Sequence, residues 1–147
     1  MTMPRREAIA ACALLLDYLA NAGNLGAQVP GTEAPQAGPV FKQDLPDLTM
    51  EGWEVTASHV DYAPGRVGAP HRHPGFVLVY VLSGEVIAKV SDQGEEKRYT
   101  AGQMFYEQPG ATHEVSKNAS ATEPARILAM IFAKKGSTLT VPVGDGE

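Results

Sequence analysis

The sequence holds a single cysteine, Cys12, among 147 residues. One thiol excludes an internal disulfide framework and a cysteine-based metal site. It fixes no compartment, because exported proteins also fold without disulfides. Cations are scarce as well: 12 Lys and Arg stand against 17 Asp and Glu, for a formal net charge of -5. No run of Lys or Arg occurs, and phosphate backbones are held by clustered cations, so nucleic acid is excluded as a partner class. Long apolar runs are missing too. The apolar stretch AIAACALLL near the N-terminus is too short to span a bilayer, so no membrane span is expected.

What is present points to a compact β domain. Apolar residues make up 44% of the chain, enough for a buried core and against wholesale disorder. The 15 glycines and 11 prolines favour many turns and short strands over long helices. The length suits one domain.

The N-terminus admits two readings. MTMPRRE is a basic start, AIAACALLL is a short apolar core, and Ala20-Asn21-Ala22 is a small-residue site of the kind that closes a signal peptide. Glu7 and Asp17 flank the run and argue instead for an amphipathic helix from about Pro4 to Ala20. An exported and a cytoplasmic protein are therefore both expected readings. Residues 1–22 form this helix or signal-like segment. Residues 23–47 are a loose Gly-, Pro- and Ala-rich linker or arm, 48–143 the β domain, and 144–147 a tail.

Strand signals fill the β domain. Trp53 to Tyr62 is rich in β-branched and aromatic residues and ends at Ala63-Pro64-Gly65. Phe76 to Leu82 (FVLVYVL) is wholly apolar and bounded by Pro74-Gly75 and Ser83-Gly84, which predicts a strand buried on both sides. Further strands are expected over Glu85–Ser91, Lys97–Thr100, Gln103–Glu107, His113–Ser116 and Arg126–Ala133, with Thr138–Val143 closing the sheet. Short strands at regular spacing with Gly or Pro turns indicate a sandwich or a barrel.

The histidines choose between these. His71 and His73 stand two apart in APHRHPG, and in extended chain residues i and i+2 share a face. Two imidazoles are thereby aimed at one point, while Arg72 between them points away. His113 follows far along the chain in PGATHEV, after a turn that enters a strand. Three neutral imidazoles suit a divalent transition metal: Fe(II), Zn, Ni, Mn or Cu.

Gly65, His71, His73 and Gly84 resemble in register the first motif of the cupin family, and Gly102, Gly110 and His113 resemble its second. Gln108 holds the second motif's proline position with Pro109 beside it, and its closing Asn is displaced to Asn118. The resemblance is to small single-domain cupins of the RmlC-like, cupin_2 type. It implies an all-β cupin barrel (a double-stranded β-helix, or jelly roll) and a metal on His71, His73 and His113. Many cupins carry a Glu ligand shortly after HxH. Here Val77 and Leu78 hold those positions, so the site resembles the three-histidine branch that includes acetylacetone dioxygenase and the thiol dioxygenases.

Glu107, in FYEQPGATH, is the remaining carboxylate near the expected metal. Facing inward, it would serve as a fourth ligand, as a partner orienting a histidine, or as a general acid or base. Tyr80 and Tyr106 are further candidates as phenol donors in the cavity, with core packing as their competing role. His59 matches no motif position and is expected to be structural or exposed. Asn118-Ala119-Ser120 has the glycosylation pattern, which is common by chance.

The expected function is a metalloenzyme acting on a small, mostly apolar, oxygen-bearing molecule held in a cavity lined from FVLVYVL, QMFYE and ILAMIF. The three-histidine resemblance puts an Fe(II) dioxygenase ahead of a Zn or Ni isomerase, lyase or cyclase. The alternative is a non-catalytic cupin that binds a small molecule. A homodimer is expected in either case.

Overall fold

The computed structural model describes residues 38–144, and the expected N-terminal helix or signal-like segment lies outside them. Residues 38–50 carry no helix or strand. The first strand, β1 (Trp53–Tyr62), runs the length expected and stops where Pro64 supplies no N–H to a ladder. Next come two short pairings, β2 (Val67–Gly68) and β3 (His71–Arg72), and then β4 (Phe76–Ser83) and β5 (Glu85–Val90). The series continues through β6 (Lys97–Thr100), β7 (Met104–Glu107) and β8 (Thr112–Asn118), and ends with β9 (Ala125–Lys134) and β10 (Val141–Pro142).

These elements form two antiparallel sheets. One has the order β1-β9-β4-β7, and the other β10-β3-β8-β5-β6 with β2 added beside β8. The sheets share a core of alternating inward residues, among them Tyr62, Val77, Val79, Val81, Val86, Phe105, Ile127 and Ile131. Val77, Val79 and Val81 are 1%, 1% and 0% exposed. Each such valine contributes about 1.5–3 kcal/mol of apolar burial. The other face of β4 is less covered than the unbroken apolar run predicts: Leu78 and Tyr80 are only half-buried. That face carries an aromatic cluster outside the barrel, where Phe76 stacks on Phe132 with centroids 4.6 Å apart.

The β4–β5 turn depends on Gly84. Its φ is +69°, and a Cβ there would sit 2.5 Å from the Pro124 carbonyl oxygen, so only glycine fits.

A bulge on β8 decides which of its side chains face the interior. Val90 of β5 opposes His113 and Ala88 opposes Ser116, so β8 carries one more residue than β5 over this stretch. The inserted residue shifts the alternation, and His113, Ser116 and Asn118 are all buried. Asn118 then ties the barrel end together. Its Nδ2 donates to the carbonyls of Tyr62, Ala63 and Glu123, and its Oδ1 accepts from the Ser120 N–H. The asparagine of the glycosylation-like triplet is therefore a buried structural clamp.

A candidate metal centre in the barrel

β3 and β8 bring the two histidine segments together. His71 lies directly opposite His113 in their antiparallel register, and the two ring centroids are 5.0 Å apart. His73, two residues on from His71, projects to the same side, with its ring 5.0 Å from that of His71. Arg72 points away, and its Nε donates to Thr112 Oγ1 at 2.9 Å. The turn before β8 is tied to the first histidine segment, since the Gly110 N–H donates to the His73 carbonyl at 3.0 Å.

Each imidazole has its Nδ1 against an oxygen. His71 Nδ1 is 2.9 Å from the Ala69 carbonyl, and His73 Nδ1 is 2.6 Å from the Leu139 carbonyl. His113 Nδ1 is 3.2 Å from Glu107 Oε1. A carbonyl oxygen can only accept, so in His71 and His73 it is Nδ1 that carries the N–H, leaving Nε2 as the ligating nitrogen of a neutral ring. Burial pushes His71 below the ordinary imidazole value, which favours the neutral, ligand-competent ring.

Glu107 is 3% exposed and faces inward from the end of β7. His71, Glu107 and His113 each offer a donor atom, all within 4.8 Å of one another, which is a group able to hold a metal ion. His73 stands beside this group, with its Nε2 3.7 Å from Glu107 Oε2. Two buried atoms here, Glu107 Oε2 and His113 Nε2, have no hydrogen-bond partner among the described residues. An orphaned buried carboxylate oxygen and an orphaned imidazole nitrogen are costly. Such atoms are what a divalent cation takes up, and the mixed nitrogen and oxygen donor set of His71, Glu107 and His113 fits a transition metal.

The group opens on a cavity of about 430 Å³. The wall contributed by β1 and β9 is largely apolar, with Val60, Ile127, Ala129 and Ile131. The expected lining is only partly present: β4 gives Val77, β7 gives Glu107, and Val79, Val81 and Phe105 belong to the packed core instead. Tyr80 and Tyr106 do not line the cavity. Tyr106 follows the inward Phe105, so its ring lies on the outer face, 6.1 Å from Phe76, and burial there pushes its phenol up. Tyr80 pairs with Met104 on that same outer face. His59 is exposed on β1 opposite Leu128.

Three features of the site escape sequence reasoning. The C-terminal segment locks the first histidine segment in place: β10 pairs with β3, the Val143 N–H donates to the Pro70 carbonyl, and Leu139 anchors His73. Tyr62 lines the cavity with its hydroxyl 2.7 Å from Ser116 Oγ. Arg66 lies at the cavity wall over the Tyr62 ring. The even-numbered positions of β1 were the available signal for Tyr62; nothing local marks the other two.

The chain matches the cupin domain family over residues 58–131. It is 30% identical over 105 residues to the rhicadhesin receptor of Pisum sativum, covering 69% of this chain and 46% of that protein. It is 27% identical to nectarin-1 of Nicotiana plumbaginifolia, over 69% of this chain and 44% of that one. The chain thus spans about half the length of these curated relatives. Among solved structures, the DMSP lyase DddQ of Ruegeria pomeroyi superposes with a TM-score of 0.54 at 20% identity, covering 63% of this chain and 45% of that one. Oxalate decarboxylase of Lactobacillus farciminis gives 0.52 at 20% identity, over 60% and 26%. These likenesses agree in fold with the two-sheet barrel. The chain belongs to the cupin domain family.

Proposed function

We propose that this cupin holds one divalent transition metal on His71, His73, His113 and Glu107, and acts as a metalloenzyme on a small, mostly apolar, oxygen-bearing molecule. The observation that carries the reading is the pair of orphaned buried atoms, Glu107 Oε2 and His113 Nε2, beside two imidazoles whose Nε2 lone pairs are free. A bound ion supplies Lewis acidity or, as Fe(II), access to dioxygen chemistry. The protein supplies the rest. The carbonyls of Ala69 and Leu139 fix the tautomers of His71 and His73. Ile127, Ala129 and Ile131 keep water from the substrate body. Glu107 is the nearby carboxylate able to move a proton if an oxygen of the substrate displaces it.

Fe(II) dioxygenase chemistry is the leading proposal, with Zn or Ni isomerase, lyase or cyclase chemistry as the second. Metal analysis of the purified protein followed by oxygen-uptake assays with diketone- and phenol-like compounds tests it. Iron with uptake supports the oxygenase. Zinc or nickel without uptake favours the Lewis-acid reactions. A protein that stays metal-free after iron and zinc loading overturns the proposal.

A further inference from the structure

We propose that Arg66 is a specificity-determining residue that reads a carboxylate, so that the ligand class of this cavity is small organic acids with an apolar body and a second oxygen. The inference rests on the metal reading above and deepens it.

Arg66 follows the turn after β1 and lies in the cavity wall. Its guanidinium packs over the Tyr62 ring, 5.0 Å from the centroid, and donates to the backbone carbonyl of Asp61. Both contacts hold the side chain in place without neutralising it. The one acid in the adjacent sequence is already committed: the Asp61 carboxylate takes both Nε and a terminal nitrogen of Arg126, at 2.5 and 3.2 Å. The hydrogen bond from Arg126 lowers the Asp61 carboxyl below its usual value. Among the described residues, no carboxylate pairs with Arg66. A stacked guanidinium with spare N–H donors is pre-organised for bidentate recognition of a carboxylate.

The charges in the cavity agree. Among the described residues, Glu107 is the one acid that lines it. A divalent ion on three neutral imidazoles and that carboxylate leaves a net positive charge, and Arg66 adds another. An anion therefore meets favourable potential at both the metal and Arg66, and the apolar wall of Val60, Ile127, Ala129 and Ile131 lies within the same cavity. Without metal, Glu107 and Arg66 cancel, and the preference for an anion should fall. The Tyr62 hydroxyl, fixed by Ser116 Oγ at 2.7 Å, gives the ring a stable platform under the guanidinium.

The test is calorimetric titration of zinc-loaded protein with matched probes: 3-hydroxybenzoate against 3-hydroxybenzamide, and 3-hydroxy-3-methylbutanoate against its amide. Wild type should bind an acid at least roughly tenfold tighter than its own amide, the scale of one charge-assisted pair. Arg66→Gln should lose that margin and leave amide affinity within roughly threefold. Arg66→Lys, which keeps the charge but not the fork, should fall between. Arg66 is exposed, so the variants should fold, and each should still load zinc stoichiometrically. Unchanged acid affinity in Arg66→Gln overturns the proposal, and so does a wild type that prefers the amide or binds no probe. Loss of zinc loading in wild type is the separate failure of the metal reading, scored by metal analysis before any titration.

Discussion

Glu107 stands directly opposite Val77 across the β4–β7 ladder. Val77 holds a position where many cupins carry a glutamate ligand, and in the proposed centre Glu107 would supply that carboxylate from the neighbouring strand. Directly paired residues have Cβ atoms about 4.5–5.5 Å apart, near enough for either position to reach one centre. Val77 and Glu107 both line the cavity.

Glu107→Gln should weaken metal binding at least roughly tenfold, on the scale seen when a ligand or its supporting partner is lost. The same change should stabilise the metal-free protein by about 1–3 kcal/mol, because an unpaired buried carboxylate oxygen is replaced by a neutral amide. Competition titration reads the first effect and denaturant unfolding in chelator the second. Opposite signs for the two effects distinguish a ligand from an ordinary structural residue.

Metal should stabilise the fold. At a free concentration a hundred times Kd, binding to the native state alone adds about 2.7 kcal/mol. Thermal unfolding with and without a chelator should show this in wild type, and His113→Ala should be indifferent to both.

The C-terminal segment should matter to the metal and not merely to the sheet edge. Deleting residues 138–147 removes the Leu139 carbonyl that holds His73 and the β10 pairing behind His71. Metal affinity should fall roughly 10- to 100-fold. Circular dichroism should remain that of an all-β protein, since β10 is a two-residue element.

Filling the cavity should separate ligand binding from metal binding. Ala129 sits mid-strand on β9 in the apolar wall, in the other sheet from the histidine strands β3 and β8. Ala129→Phe should abolish binding of small ligands while metal loading persists, read by calorimetry and metal analysis on the same sample.

Much of this was legible in the sequence for identifiable physical reasons. The i, i+2 spacing of His71 and His73 is a local fact of extended chain, whereas the unbroken apolar run of β4 does not say which of its faces is the inner one. Other features depend on register. Whether Glu107 faces inward turns on its pairing with Val77, and Tyr80 and Tyr106 fall outside because their neighbours face in. Ser116 defeats the two-residue alternation from His113 because a bulge inserts a residue between them. The Leu139 anchor joins residues 66 apart in sequence through a backbone carbonyl, which no side-chain pattern announces.

The most direct test of a four-donor centre completed by Glu107 is to move the carboxylate across the ladder. Metal affinity is measured by competition titration for wild type, Glu107→Val and the double variant Val77→Glu/Glu107→Val. The account predicts that Glu107→Val loses at least roughly tenfold in affinity and that the double variant recovers most of it. Glu107→Val binding metal as tightly as wild type would contradict it.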